Sequence, residues 1–366
     1  MKSNSVLILS GYNQRAVISF CRFAKENAIE IHIAANSSDD PILLSEYGEQ
    51  VIEIREKASL STEDFARWRT LIQEDNVVIL PSTEYLNRFL LTNRDELEKQ
   101  AYTVPLCDEK IYNEVSDKYS FSRLCEEHGI DVPDEFTDEP EFPCVAKPKS
   151  YFSPDNKTLR PVIINTSEQY KAFLDGNNSE DFYFQNFIGG RSIYFLYYFT
   201  TDGKVSHYNQ ENLIQQDQGL SIIAAKSSGY TFSEASDKFI SMFLNLGFHG
   251  LVMVESKFHN EKHFAIEANP RLWGPSQLIL DAKMDLFERF ACDYGLIRSC
   301  EVNDSYKDNT PYFWSGGLFL DSKNRADVVF HGDYNEKKFI KEYELFYSSD
   351  IYLRDDTIKV FQSEYR

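Results

Sequence analysis

The chain has 366 residues, enough for two or three domains or for one multi-lobed enzyme with a large core. Its formal net charge of −20 repels phosphate backbones and anionic lipid over most of the surface, which argues against nucleic acid and membranes as partners. A hydrophobic share of 42% with 28 Phe and 22 Tyr excludes long disordered stretches, and any phosphorylated ligand would need a local cluster of cations or a metal to overcome the overall field.

The first hundred residues alternate strand and helix. "VLILS" (6–10) reads as a buried strand, and Gly11 turns into a helix whose Ala16, Val17, Phe20, Cys21 and Ala24 share one face. "IEIHIAA" (29–35) and "VIEI" (51–54) follow as strands. "STEDFARWRTLIQED" is a helix with Ser61 or Thr62 as N-cap and Phe65, Trp68, Leu71 and Ile72 inward. "NVVILP" (76–81) is another strand, before a helix carrying Leu86, Phe89 and Leu90. This alternation predicts a Rossmann-like parallel α/β lobe over residues 1–105. The G-x-G-x-x-G fingerprint is absent, since Gly11 is followed by Tyr12, Asn13 and Gln14, so the lobe reads as a scaffold or substrate-binding unit. Arg15 at the helix start is either an anion contact or, more simply, an exposed side chain.

Around residue 101 the pattern changes. "SDKYSFSRLCEEHG" reads as a helix capped by Ser116 and stopped by Gly129, and "FPCVAKPKS" as an extended stretch. "DFYFQNFIGG" (181–190) and "SIYFLYYFT" (192–200) are aromatic and strand-like, the latter most simply core. "NQENLIQQDQG" (209–219) reads either as a polar loop or as a reader of a polar ligand through Gln210, Glu211, Gln215 and Gln216, and Lys226 either reaches a cleft or decorates a strand. "GLSIIAAKSS" (219–228) is a strand, "SEASDKFISMFLNLG" (233–247) a helix, and "DLFERFACDYG" a late helix. The last sixty or so residues look like short strands and turns.

"LVMVESKF" and "HFAIEAN", joined by "HNEK", read as a hairpin. Phe264, Ile266 and Ala268 alternate with Ala265, Glu267 and Asn269. A hairpin centred near Glu261 sets Glu255 directly across from Glu267, with opposed side chains about 5 Å apart. Two readings stand: a solvated polar face, or a divalent-cation site in which two carboxylates and the Asn269 amide oxygen supply hard donors suited to Mg²⁺. Arg271, Lys118 and Lys147 favour the second, because they would supply the cations that a polyphosphate needs. His259 and His263 fall on the turn without the spacing of a zinc site and read as solvated.

These residues carry a family resemblance. From about Asp117 to Gly295 the chain resembles the ATP-grasp superfamily, in its carboxylate–amine ligase type with a carbamoyl-phosphate-synthase-like ATP-binding domain. The matching pieces are "DKYSFSRLCEEHGIDVP", "PCVAKP", "YFQNFIGG" and "GLVMVESKF…HFAIEANPRLWG". The resemblance implies an α/β and α+β protein: the N-terminal Rossmann-like lobe (1–105), an ATP-grasp fold of two α+β subdomains (106–300, with a lid at about 130–185), and a short C-terminal β-rich extension (301–366). It implies that Lys118 and Lys147 contact the phosphates of ATP and that Gln185, Asn186, Phe187 and Ile188 line the adenine pocket. Glu255, Glu267 and Asn269 would hold Mg²⁺, with Mn²⁺ able to substitute, and Arg271, with Lys147, would stabilise the transferred phosphoryl group.

The sequence also departs from the family pattern. The stretch after Lys147, "KPKSYFSPDNKTLRPV", has no glycine where the family lid is usually glycine-rich, so Lys149, Ser150, Ser153, Lys157 and Arg160 would have to cover the phosphates. Gln185-Asn186 replaces a frequent acidic hinge residue, and Arg191 stands where an acid is common. No G-x-S-x-G elbow or cysteine–base pair offers a covalent nucleophile, and phosphoryl transfer needs none.

The activity implied is an ATP-dependent ligation of a carboxylate, from an amino acid or peptide, to an amine through an acyl-phosphate. The alternatives are a catalytically inactive nucleotide-binding protein of regulation or assembly, and an ATP-dependent phosphotransferase. The partners expected are small-molecule carboxylates and amines, no nucleic acid and no membrane, with a homodimer admitted. The six scattered cysteines lack a C-x-x-C pair, and the apolar run Val6 to Leu9 is too short for a signal peptide, which together read as a reduced, cytoplasmic protein.

Overall fold

The computed structural model describes residues 3–55, 57, 59–153, 158–229, 234–300, 306–319 and 324–365. The N-terminal lobe runs β1 (Asn4–Leu9), α1 (Gln14–Glu26), β2 (Ile31–Ala35), β3 (Val51–Ile54), α2 (Thr62–Arg69), β4 (Asn76–Ile79), α3 (Glu84–Thr92), α4 (Arg94–Lys99) and β5 (Tyr102–Thr103). Its five strands pair in parallel in the order β3-β2-β1-β4-β5. A parallel sheet is covered on both faces, and β1 shows it: Val6 and Ile8 join one hydrophobic cluster, Leu7 and Leu9 another. Ser61 caps α2 through a reciprocal capping box with Asp64. The helix ends earlier than expected, so Leu71 lies past its last turn and is 49% exposed while Ile72 is buried.

Two further helices follow, α5 (Glu109–Ser116) and α6 (Lys118–Glu127), where the sequence suggested one helix capped at Ser116. The break falls at Asp117, whose carboxylate receives Arg88 at 2.6 Å instead of capping α6. Lys118 is thereby the first residue of α6. A small sheet, over the stretch expected to form the lid, consists of β6 (Cys144–Pro148), β7 (Val162–Ile164) and β8 (Phe182–Asn186) in the antiparallel order β7-β6-β8, packed with α7 (Ser167–Gly176) over a core of Cys144, Ala146, Ile164, Phe173 and Phe182.

The large sheet is built from β9 (Arg191–Phe199), β10 (Val205–Gln216), β11 (Ile222–Ser228), β12 (Gly250–His259) and β13 (Lys262–Asn269), with α8 (Glu234–Leu246) preceding β12 and α9 (Gln277–Asp281) and α10 (Leu286–Asp293) following β13. The aromatic run of β9 serves both faces: Tyr194, Leu196 and Tyr198 pack with α1 and α10, and Ile193, Phe195, Tyr197 and Phe199 pack with α8 and the lobe's other side. The stretch weighed as a polar loop is instead β10, a 12-residue interior strand. Several of its amides find partners inside, although both polar atoms of Asn209 and the Gln210 Oε1 are buried without one among the described residues. Asn212 Nδ2 donates to Ser192 Oγ at 3.0 Å, Gln210 Nε2 to Asn212 Oδ1 at 2.6 Å, and Gln215 Nε2 to the Leu220 carbonyl at 2.9 Å.

The C-terminal segment is not β-rich. It comprises β14 (Pro311–Phe313), β15 (Val328–Phe330), α11 (Glu336–Tyr347) and α12 (Ile358–Ser363); the sheet reads β13-β12-β9-β10-β11-β14, with β15 also paired to β10. The 3.6-residue period was present but interrupted by charge: Asn335 caps α11, and Phe339 and Phe346 bring their rings to Phe313 at 5.7 and 6.1 Å. The segment is latched to the first lobe by Arg22 of α1. Its guanidinium donates to Asp356 (2.8 and 2.9 Å), Thr357 Oγ1 (2.8 Å), the Ile351 carbonyl (2.9 Å) and Gln277 Oε1 (2.7 Å). Removing one partner of so buried a pair strands the other charge. Arg22→Met should therefore lower unfolding stability by about 3 kcal/mol, read by urea denaturation.

Candidate active site

A cleft of about 1260 Å³ opens where the first lobe, the lid, the large sheet and the C-terminal segment meet. One wall is the β12–β13 hairpin, where Glu255 does face Glu267. The geometry that produces this differs from the symmetric count. The turn is Asn260-Glu261, both at positive φ, with His259 opposite Lys262, and a regular ladder from there would set Glu255 against Ile266. A bulge at Ile266 shifts the register between Ser256↔Ala265 and Glu255↔Glu267. The strict alternation expected for residues 264–269 is lost with it, and Ala265 and Ala268 share one core cluster. The bulge's Ile266 carbonyl accepts from Lys147 Nζ at 2.9 Å, tying the lid strand β6 to the hairpin.

Across the sheet the row continues from Glu267 and Glu255 to Tyr194 and Gln210. Glu255 is 8% exposed and Asn269 6%. Lys118 Nζ bonds Glu267 Oε2, Asn269 Nδ2 bonds Glu267 Oε1 at 2.8 Å, and Arg271 Nη2 bonds Asn269 Oδ1 at 2.8 Å. Burial alone would raise the Glu267 carboxyl, but Lys118, Asn269 and Arg271 outweigh it and hold it at about 2. Glu255 moves the other way: burial raises it, helped by Glu267, while Lys257 at 3.4 Å and Lys147 pull it down. Burial and the like charge of Lys118 bring Lys147 down to about 8, against the attraction of Glu267 and Glu255. The two carboxylates are thus unequal, one held well below the usual carboxylate range and the other raised above it.

The donor set fits a hard divalent cation. Glu255, Glu267 and the Asn269 amide oxygen are oxygen donors grouped on one cleft wall, and among the described residues no cluster of three or more His, Cys, Asp or Glu offers a competing site. Lys118 and Arg271 neutralise that wall in the structure, and both are long enough to turn toward phosphate. The cleft lining includes Lys118, Glu255, Glu267, Asn269 and Arg271, together with Ser150 and Arg160 of the lid. Lys147 lies behind it, through Ile266. Lys149 is exposed and Ser153 half-buried, both outside that lining, and Lys157 lies outside the described residues.

The hinge residues Gln185, Asn186, Phe187 and Ile188 also lie outside the lining. Gln185 turns inward, donating to Ser122 Oγ and the Pro133 carbonyl, and the Asn186 and Phe187 amides are engaged by the Asp134 and Pro143 carbonyls. Of the polar residues 210–216, Gln216 reaches the cleft, whereas Glu211 pairs with Arg191 and with Lys226 at 3.4 Å.

Sequence reasoning missed several lining residues. Tyr194 was absorbed into an aromatic core run, although its pairing with Glu255 follows once β9 is set beside β12. Trp314, Tyr352 and Glu364 come from the C-terminal segment, and no local motif marks them. Arg15 is in the cleft rather than simply exposed, with its guanidinium 3.9 Å from the Trp314 ring centre. His263 is not a solvated turn residue. It packs against Phe195 and Phe258 with ring centres 5.3 and 4.8 Å away and shares a hydrogen bond with Ser256 Oγ.

Two predictions follow from these electrostatics. Lys118→Met removes the main counter-charge of Glu267, so the thermal midpoint at neutral pH should fall by several degrees, and millimolar Mg²⁺ should restore more than it adds to the wild type; an equal Mg²⁺ response would separate the metal from this pair. Burial, with Arg191 nearby, brings His263 down to about 4 from an ordinary 6.5. The unfolded chain therefore binds this proton first, so the stability it contributes is present above about pH 6.5 and lost as pH falls toward 4. His263→Phe should blunt the drop in thermal midpoint between about pH 7 and pH 5.

No family model matches the chain, and no curated protein matches it by sequence. Solved structures do resemble it. The biotin carboxylase domain of 2-oxoglutarate carboxylase from Hydrogenobacter thermophilus, a dimer in complex with MgADP, ADP and bicarbonate, superimposes with a TM-score of 0.64 at 14% identity over 85% of this chain and 73% of that one. The L-amino acid ligase from Bacillus licheniformis gives 0.59 at 14% identity over 85% and 79%. N5-carboxyaminoimidazole ribonucleotide synthetase from Thermotoga maritima gives 0.52 at 14% identity over 85% and 79%. With its parallel α/β lobe, antiparallel lid and large antiparallel sheet, the chain has the mixed α/β architecture that these proteins share, the ATP-grasp fold.

Proposed function

We propose that this chain is an ATP-dependent ligase joining the carboxylate of an amino acid or peptide to an amine. The observation that carries this reading is the facing pair Glu255 and Glu267, ringed by Lys118, Asn269 and Arg271 on the wall of one large cleft, with Lys147 behind it. Phosphoryl transfer is mainly a matter of positioning and charge neutralisation, and this wall supplies both signs at fixed places. Its likeness to the amino acid ligase and to the MgADP-bound carboxylase domain supports the same reading.

In this reading Glu255, Glu267 and Asn269 hold Mg²⁺, which neutralises phosphate charge when bound. Lys118 and Lys147 grip phosphate oxygens, and Arg271 faces the transferred group. A carboxylate oxygen of the first substrate attacks the γ-phosphorus as the bond to the bridging oxygen breaks and ADP leaves. The amine nitrogen of the second substrate then attacks the acyl carbon, the carbon–oxygen bond breaks, phosphate departs and the nitrogen loses its proton. The backbone of Gln185 to Ile188 borders the adenine in a bound state whose lid closes further. The units are 1–105, 106–300 with its lid at about 130–185, and 301–366. A cytoplasmic setting and a homodimer are part of the same proposal; among the described residues no helix is long and apolar enough to cross a membrane.

The test is to incubate the protein with Mg-ATP and pools of carboxylates and amines, then to measure ADP and amide products. ADP release that requires both components supports the ligase. Nucleotide binding without turnover would replace it with a non-catalytic nucleotide-binding protein, and a stable phosphorylated product with a phosphotransferase. Glu267→Gln should lower turnover by roughly a hundredfold or more while the fold, read by circular dichroism, persists.

A further inference from the structure

The cleft also has a flank where residues of α1, β11 and the C-terminal segment converge. Two opposite charges meet there without pairing. Arg15 lies flat on Trp314, its guanidinium carbon 3.9 Å from the ring centre, and Nη1 is fixed by the Ile222 carbonyl (2.8 Å) and Tyr312 OH (3.2 Å). Its Nε and Nη2 have no hydrogen-bond partner among the described residues. Gly274 makes room for that edge, since a Cβ there would sit 2.8 Å from Arg15 Nη2.

Glu364 holds the other side of the same indole. Its Oε1 accepts from Trp314 Nε1 at 2.7 Å, whereas Oε2 is buried and unpartnered among the described residues. Gly316 admits this carboxylate, because a Cβ at that position would lie 2.3 Å from Oε2. The two charges form no ion pair within 4.0 Å, although Arg15 is close enough to lower the Glu364 carboxyl against burial and Asp350, which leave it at about 7. Gln14 Nε2 and Trp273 Nε1, also on lining residues, are buried and unpartnered. A guanidinium with two free donors and a carboxylate with a free oxygen, held apart by one aromatic ring, match a small ligand that carries both charges.

We propose that Arg15, Trp314 and Glu364 form the docking site for a free α-amino acid, with its carboxylate on Arg15, its ammonium on Glu364 and its side chain toward the cleft. This deepens the ligase reading and rests on it for one point only, that the group the bound amino acid brings to the reaction is carried on its side chain. The site commits the enzyme to a zwitterion: an amine without a carboxylate leaves Arg15 unanswered, and an N-acylated acid leaves Glu364 unanswered. A half-buried guanidinium or a buried carboxylate oxygen left in that state weakens binding.

The experiment is calorimetric titration of the intact protein with each common L-amino acid, with the methyl ester and the N-acetyl derivative of any that binds, in the presence and absence of Mg-ADP. At least one free amino acid should bind, and its ester and acetyl forms should bind at least about tenfold more weakly. Arg15→Lys, which keeps the charge but loses the planar fork, and Glu364→Gln should each weaken the free amino acid by a similar factor while leaving Mg-ADP affinity unchanged. Binding of the blocked forms as tightly as the free one, equal binding by both variants, or no binding of any amino acid would overturn the proposal. Failure of Mg-ADP to bind would instead overturn the ligase reading, and the titrations without nucleotide would still decide the docking site.

Discussion

Two carboxylates facing each other on neighbouring strands, one of them almost fully buried, form the constraint around which this structure is arranged. Like charges at that spacing repel, and burial makes the repulsion stronger. The fold answers by converging positive charge from separate elements: Lys118 from the start of α6, Lys147 from the lid strand, Lys257 from beside Glu255, and Arg271 from just past β13. The result is an uneven pair, with Glu267 firmly ionised and Glu255 raised by its burial.

Two irregularities make the convergence geometrically available. The bulge at Ile266 corrects the register so that glutamate meets glutamate, and it frees a carbonyl that fixes Lys147. The helix break at Asp117 allows Lys118 to enter the cleft at the first turn of α6, while Arg88 occupies the Asp117 carboxylate. Regular elements at either place would move a charge to the wrong face. Strain and irregularity of this kind commonly gather where side chains must be aimed.

The flank of the cleft lined by the C-terminal segment depends on long-range assembly. Arg22 fastens the C-terminal segment to α1, and that contact brings Trp314, Tyr352 and Glu364 into a cavity whose other walls are formed by earlier parts of the chain. The segment therefore completes a concave surface as well as adding two short strands to the large sheet. Its strands are three residues each and its mass is helical.

The sequence by itself determined the strand–helix alternation of the first lobe, the hairpin with its opposed glutamates, and the residue types of a cationic, metal-competent wall. These signals are local: a period of two or 3.6 residues, a capping serine, a turn between two apolar runs. It could not determine β10, because amides such as Asn212 and Gln215 look like a loop until Ser192 of β9 and His331 bond them. Nor could it show that Arg15 lies on Trp314 or that Glu364 flanks the same ring, since Glu364 stands 50 residues from Trp314, Arg15 lies far earlier in the chain, and the three have no periodicity in common. Tertiary structure decided those contacts, because burial of polar and charged groups is settled only by whichever distant groups come to answer them.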